Sequence, residues 1–178
     1  MKYRQERSAG LTPAGLQEVF REHRRYDEWH EVLRLLHGLT AAWYAGQFIS
    51  ELLSRRKEPE GHRAMFLGAQ CLQEVREVGV IREVRAHARQ ELLLLARFDF
   101  PFFYEEWGPE GQAAGRIRSR AVQELARGWK EDPATLPWLK DRAARDENEA
   151  VRQAAVLELA RGWKEDPEVQ ASLASLRT

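Results

Sequence analysis

The sequence predicts an all-α protein, a right-handed α-solenoid of stacked helix pairs, and three observations carry that expectation. The string Glu-Leu-Ala-Arg-Gly-Trp-Lys-Glu-Asp-Pro occurs twice, from Glu124 to Pro133 and from Glu158 to Pro167, at an offset of 34 residues. Over the wider match of Ala121–Pro133 with Ala155–Pro167 one position differs, Gln123 against Leu157. A helical apolar pattern repeated at about 34 residues marks helix pairs that stack, because one pair cannot bury its apolar face alone. Strand signals are nearly missing. No stretch alternates with period two for long, and neither Asn-Gly nor Asp-Gly occurs.

In chain order, Thr12-Pro13 opens a first helix with a hydroxyl cap and a proline at the first position. Leu16, Val19, Phe20 and His23 continue it to about Arg24. Asp27 reads as the N-cap of a second helix, with Trp29, Val32, Leu33, Leu36 and His37 striped along one side. Thr40 reads as the cap of a third, which carries Trp43, Tyr44, Phe48, Ile49, Leu52 and Leu53 and ends in Lys57-Glu58-Pro59-Glu60-Gly61. A fourth runs from about His62 to Val78, with Met65, Phe66, Ala69, Leu72 and Val75 inward. A fifth spans about Val80–Phe98, and its Leu92–Leu95 run predicts burial on more than one side.

Asp99–Trp107 breaks the periodicity with five aromatics in nine residues around a proline. Phe102, Phe103, Tyr104 and Trp107 fit either a packed connector between helical layers or an aromatic docking patch. Gly108-Pro109-Glu110-Gly111 follows, which divides the chain into a helical-pair region, 1–107, and a repeat region, 108–178.

From Ala113 the repeat governs. Ile117, Ala121, Val122, Leu125, Ala126 and Trp129 form one broad apolar face, and Val151, Ala155, Val156, Leu159, Ala160 and Trp163 form it again. Asp132-Pro133 and Asp166-Pro167 read as cap and first position of the next helix, unless Thr135 is the cap in the first copy. Arg127, Trp129 and Lys130, repeated as Arg161, Trp163 and Lys164, have two readings. The tryptophans are core and the cations meet helix C-termini, or the six residues form a recognition ridge.

Composition narrows the function classes. With 43% apolar and 31% charged residues the chain suits amphipathic helices and is unlike a disordered one. Its 28 basic and 28 acidic side chains cancel, which argues against nucleic acid or an anionic membrane as the main partner. Cys71 sits in an apolar helical run and reads as a buried small hydrophobe. The charged N-terminus has no secretory h-region and no apolar run approaches the ~20 residues that span a bilayer, so a soluble, cytoplasmic protein is expected.

The stretch Asp146–Ala155 resembles the opening of the second helix of a HEAT repeat. In that family an Asp in the turn and a basic residue six positions later build an inter-repeat ladder, and Asp146 and Arg152 match that spacing. The preceding repeat keeps the basic residue as Arg118 but has Gln112 in the Asp position, so the ladder is incomplete and is expected to add little stability. Asp27–Leu36, Phe66–Arg76 and the paired Ala-Arg-Gly-Trp-Lys-Glu-Asp-Pro together resemble bacterial NACHT-family NTPases of the STAND class, in the helical and HEAT-repeat region C-terminal to the NTPase module. No Gly-Lys pair occurs, so a Walker A loop is excluded and no nucleotide-binding position carries over. What the resemblance implies is the sensor or autoinhibitory arm, as a fragment or as a stand-alone product.

Catalytic chemistry finds no foothold in the residues. His30-Glu31 is followed next by His37, two helical turns or about 10 Å away, whereas a zinc motif needs adjacent turns. Glu105-Glu106, Asp146-Glu147 and Glu131-Asp132 read as caps and solubility charges, and no serine or cysteine lies in a nucleophile elbow. An enzyme on such a scaffold, of the bilin-lyase kind, would need a nucleophile or acid–base cluster, and none is visible. The expectation is a non-enzymatic protein-interaction module with no cofactor, metal or small-molecule substrate, whose partner is a protein, an NTPase module in cis or trans included. The alternative is a nucleic-acid-binding repeat protein with an arginine-rich concave face, since 23 of the 28 basic residues are arginine.

Overall fold

The computed structural model describes residues 13–55, 61–97 and 109–175. Among these the chain forms nine α helices, two short 3-10 turns and no strand. The helices are α1 (Pro13–His23), α2 (His30–Leu39), α3 (Ala42–Ser54), α4 (Gly61–Glu74), α5 (Arg82–Arg97), α6 (Pro109–Gly128), α7 (Thr135–Arg145), α8 (Glu149–Gly162) and α9 (Pro167–Ser175). The 3-10 turns are Asp27–Trp29 and Val78–Ile81. No helix among the described residues is long and apolar enough to cross a membrane. The chain divides into two compact units, Met1–Ala88 and Arg89–Thr178, with the division inside α5. The boundary expected at 107/108 falls outside the described residues.

In the first unit α4 is the central element, packed against both α2 and α3. Met65, Phe66, Leu67, Ala69, Cys71 and Leu72 are all buried, so α4 is apolar around most of its circumference, as a helix between two neighbours must be. Cys71 lies inside this core, where burial raises its thiol pKa and keeps it protonated. Gly46 lets α3 meet the Val78–Ile81 turn. A Cβ there would lie 2.6 Å from Cγ2 of Ile81, closer than real carbons approach.

His37 is buried in this unit between Phe20 and Phe48, with ring centroids 4.4 and 5.7 Å away. Its Nδ1 donates to the Leu33 carbonyl at 2.8 Å, and its Nε2 is a buried atom with no hydrogen-bond partner. Burial pushes its pKa down to about 4, so the ring is neutral.

Several local expectations are corrected. Asp27 is not the N-cap of α2, which is Trp29; it opens a 3-10 turn whose N-cap is Tyr26, and its carboxylate pairs with Arg63. Thr40 caps nothing that follows. Its hydroxyl donates to the His37 carbonyl at the end of α2, and Ala41 precedes α3. Val32, placed on the apolar stripe of the second helix, is exposed, and so is Trp43 of α3. The rest of the α2 stripe holds, with Leu33 and His37 buried and Trp29 and Leu36 half-buried.

In the second unit α6 packs on α8, α7 packs on α6 and α8, and α9 packs on α8. Helix α6 starts at Pro109, several residues before Ala113, with proline at its first position where a missing N–H costs nothing. Leu92 and Leu95 of α5 are buried and Leu93 and Leu94 half-buried, matching the burial expected of that run. The α7 start differs from both sequence readings. Thr135 is its first residue, is buried, and donates its hydroxyl to the Trp129 carbonyl at 2.7 Å, tying α7 to the end of α6. Asp166 does cap α9, with Oδ1 accepting from the Glu168 and Val169 amides at 2.9 and 3.0 Å.

Candidate functional site

The repeated string places its residues by helix phase. Leu125 and Trp129, four apart, lie on one side of the end of α6, and Glu124 and Arg127 flank it. Helix α8 repeats this phase with Leu159, Trp163, Glu158 and Arg161. Helix α8 packs on α6, and Arg127 of the first copy meets Glu158 of the second.

Two ion pairs mark that packing. Arg118 of α6, only 7% exposed, directs Nη2 at both oxygens of the buried Asp146 carboxylate, at 2.8 and 3.0 Å. Its Nε donates to the Ala96 carbonyl near the end of α5 at 3.1 Å. Asp146 also accepts from Arg142 Nη1 at 3.1 Å and from the Asn148 amide at 3.0 Å. Asn148 then caps α8 by accepting from the Val151 amide, and Gly115 of α6 makes room for it: a Cβ would lie 3.1 Å from the Asn148 Nδ2. The second pair joins Arg127 to Glu158, at 2.7 Å from Nη2 and 3.4 Å from Nε. The hydrogen bond to Glu158 raises the Arg127 guanidinium further above its ordinary range. Arg161, three residues after Glu158, reaches the same carboxylate at 3.6 Å.

The twelve residues singled out by the sequence separate as follows. Asp146 and Arg152 do not pair with each other through their side chains. Arg152 Nη1 donates to the backbone carbonyls of Asp146 and Glu147 at 2.7 and 3.0 Å, and the rung itself is Arg118–Asp146. Trp129 is core at 4% exposure, while Trp163 is only half-buried. Lys130 stands over the Trp163 ring at 5.8 Å from its centroid, and Lys164 is exposed beside Glu165. Phe102, Phe103, Tyr104 and Trp107 lie outside the described residues.

The contrast between copies extends beyond tryptophan. Val122 and Ala126 of α6 are buried, whereas their counterparts on α8 are half-buried Val156 and exposed Ala160. Leu139 of α7 is fully buried and its counterpart Leu173 of α9 half-buried. The single difference in the repeated string, Leu157 for Gln123, sets a leucine 56% exposed on the same helix. One sequence thus has two environments, because α6 has α8 along it and α8 has no described helix in the equivalent place.

Sequence reading missed Glu158, whose burial at 4% inside an apolar helix depends on two arginines. The signal was present: the repeated string sets a glutamate three residues before an arginine within an apolar run. A separate open cleft of about 860 Å3 in the first unit is lined by Trp43, Gly46, Ser50, Val80, Arg82 and Glu83, among others. Among the described residues no group of three His, Cys, Asp or Glu side chains is placed to hold a metal. Compared with known proteins, the chain matches no family model, no curated protein and no solved structure.

Proposed function

We propose that this chain is a non-enzymatic helical-repeat module that binds a protein through the second copy of its repeat. In this reading α6–α9 are the stacked helix pairs of a right-handed solenoid of HEAT type, and the chain is kin to the sensor or autoinhibitory arm of NACHT-type NTPases, working in the cytoplasm. The observation that carries the proposal is the unequal burial of identical residues: Trp129 is core, whereas Trp163 in the same string is half-buried, and Ala160 and Leu157 earlier on α8 are exposed. Aromatic and apolar side chains left open beside arginine are the composition of interface anchors.

Exposed Arg116, Arg127 and Arg161 on α6 and α8 favour the second reading, nucleic-acid binding. Against it, Arg127 and Arg161 share the buried Glu158, which neutralises part of the charge a phosphate would need. The test is a pull-down from cell extract at low and high salt, with nuclease treatment as control. A protein that survives salt and nuclease supports the interaction module. Nucleic acid lost steeply as salt rises overturns it in favour of the second reading.

A further inference from the structure

The α6–α8 interface is a template for what the open side of α8 would accept. Helices α6 and α7 both pack on α8, and adding 34 to their paired or buried Arg118, Val122, Ala126, Arg127 and Leu139 gives Arg152, Val156, Ala160, Arg161 and Leu173. The first set is buried or ion-paired across the interface. In the second set Val156, Leu173 and Arg152 are half-buried, and Ala160 and Arg161 are exposed. Helix α8 and the turn before it answer the first set with Asp146 for Arg118, Glu158 for Arg127, and the small apolar Val151, Ala154 and Ala155 between them. The complement can be written as a pattern, Asp-x4-Val-x2-Ala-Ala-x2-Glu.

We infer that the exposed face of α8 and α9 docks a single helix of a partner protein carrying this pattern, its Asp meeting Arg152 and its Glu meeting Arg161. Val156, Ala160, Trp163 and Leu173 supply the apolar floor, and the small residues of the incoming helix allow the close approach that α8 makes to α6. Arg152 is poised for the Asp because it already sits in the Arg118 position. At present its Nη1 holds two backbone carbonyls at the start of α8. Arg161 holds Glu158 only at 3.6 Å, which leaves most of its donors for a second carboxylate. Continuity with the interface inside the chain and the charge at both ends of the face identify the partner's chemistry.

This inference rests on the interaction-module reading, and its test separates the two. The probe is residues 145–162 joined to the full chain after Thr178 by a flexible Gly/Ser linker, which holds the helix near millimolar effective concentration. Docking predicts a rise in Tm of about 5 °C and slower amide exchange along α8. Arg161→Glu in the host cancels the rise, and Arg161→Glu combined with Glu158→Arg in the tethered copy restores it. Trp163→Ala in the host also cancels it, with helical circular dichroism unchanged. No rise, or a rise indifferent to the charge exchange, overturns the inference. Reversible dimerisation of the untethered chain that Trp163→Ala abolishes also overturns it, since a second copy would then be the occupant. A salt-resistant protein captured equally by the wild type and by Arg161→Glu sinks this inference while leaving the interaction module intact.

Discussion

Asp146 is buried, and three groups converge on it: the Arg118 guanidinium, the Arg142 guanidinium and the Asn148 amide. A buried pair of this kind adds little net stability against an apolar replacement, but removing one partner strands the other. Arg118→Met is expected to cost about 3 kcal/mol, measured by urea unfolding. The double variant with Asp146→Asn is expected to cost less than the sum of the single changes. The sequence showed the ladder spacing in Asp146 and Arg152 and the basic residue of the preceding repeat in Arg118, but spacing alone could not say that Arg118 is the one that reaches Asp146. His37 makes a second case. Its folded pKa of about 4 lies below the ordinary 6.5, so its contribution is present above pH 6.5 and lost as pH falls towards 4. The loss is about 3 kcal/mol at full extent. His37→Leu is expected to flatten that part of the stability profile, measured by denaturant unfolding at pH 7, 5.5 and 4. Its place on the α2 stripe was legible; its aromatic surroundings, which come from α1 and α3, were not.

Helix existence was legible among the described residues, because apolar spacing and turn residues report it directly, and α1, α4 and α5 begin and end within a few residues of expectation. Caps were harder to read. Asp27 and Thr40 have cap chemistry, yet the backbone passes through a 3-10 turn at one and an extended residue before Ala41 at the other, so their side chains serve elsewhere. Close approaches were invisible for the same reason: a glycine in a helix announces only a missing side chain. Gly46→Ala would set a methyl 2.6 Å from Cγ2 of Ile81, a methyl on a β-branched side chain with little freedom. It is expected to cost about 1–3 kcal/mol, seen as a lower denaturation midpoint at unchanged slope. The two tryptophans of the repeat separate cleanly. Trp129→Ala is expected to cost about 3–5 kcal/mol, and Trp163→Ala, from a half-open site, about half as much or less, by the same unfolding measurement.

For the whole molecule, the 34-residue repeat was plain in the sequence, and in the structure it sets Arg127 of one copy against Glu158 of the other. What the repeat could not disclose was which copy is covered. That depends on neighbours, and the two copies have the same letters with different neighbours. Composition could not reveal it either, since the exposed and buried sets are the same residue types. We propose that this difference is functional: Trp129 is core at 4% exposure, and its half-buried counterpart Trp163 belongs to an interaction surface. The most direct test compares Trp129→Ala and Trp163→Ala in stability and in capture of the protein partner. On this proposal Trp163→Ala keeps its fold and loses at least tenfold in affinity for a captured protein, as expected for an interface anchor worth more than about 1.4 kcal/mol. Unchanged capture by a folded Trp163→Ala protein would contradict it.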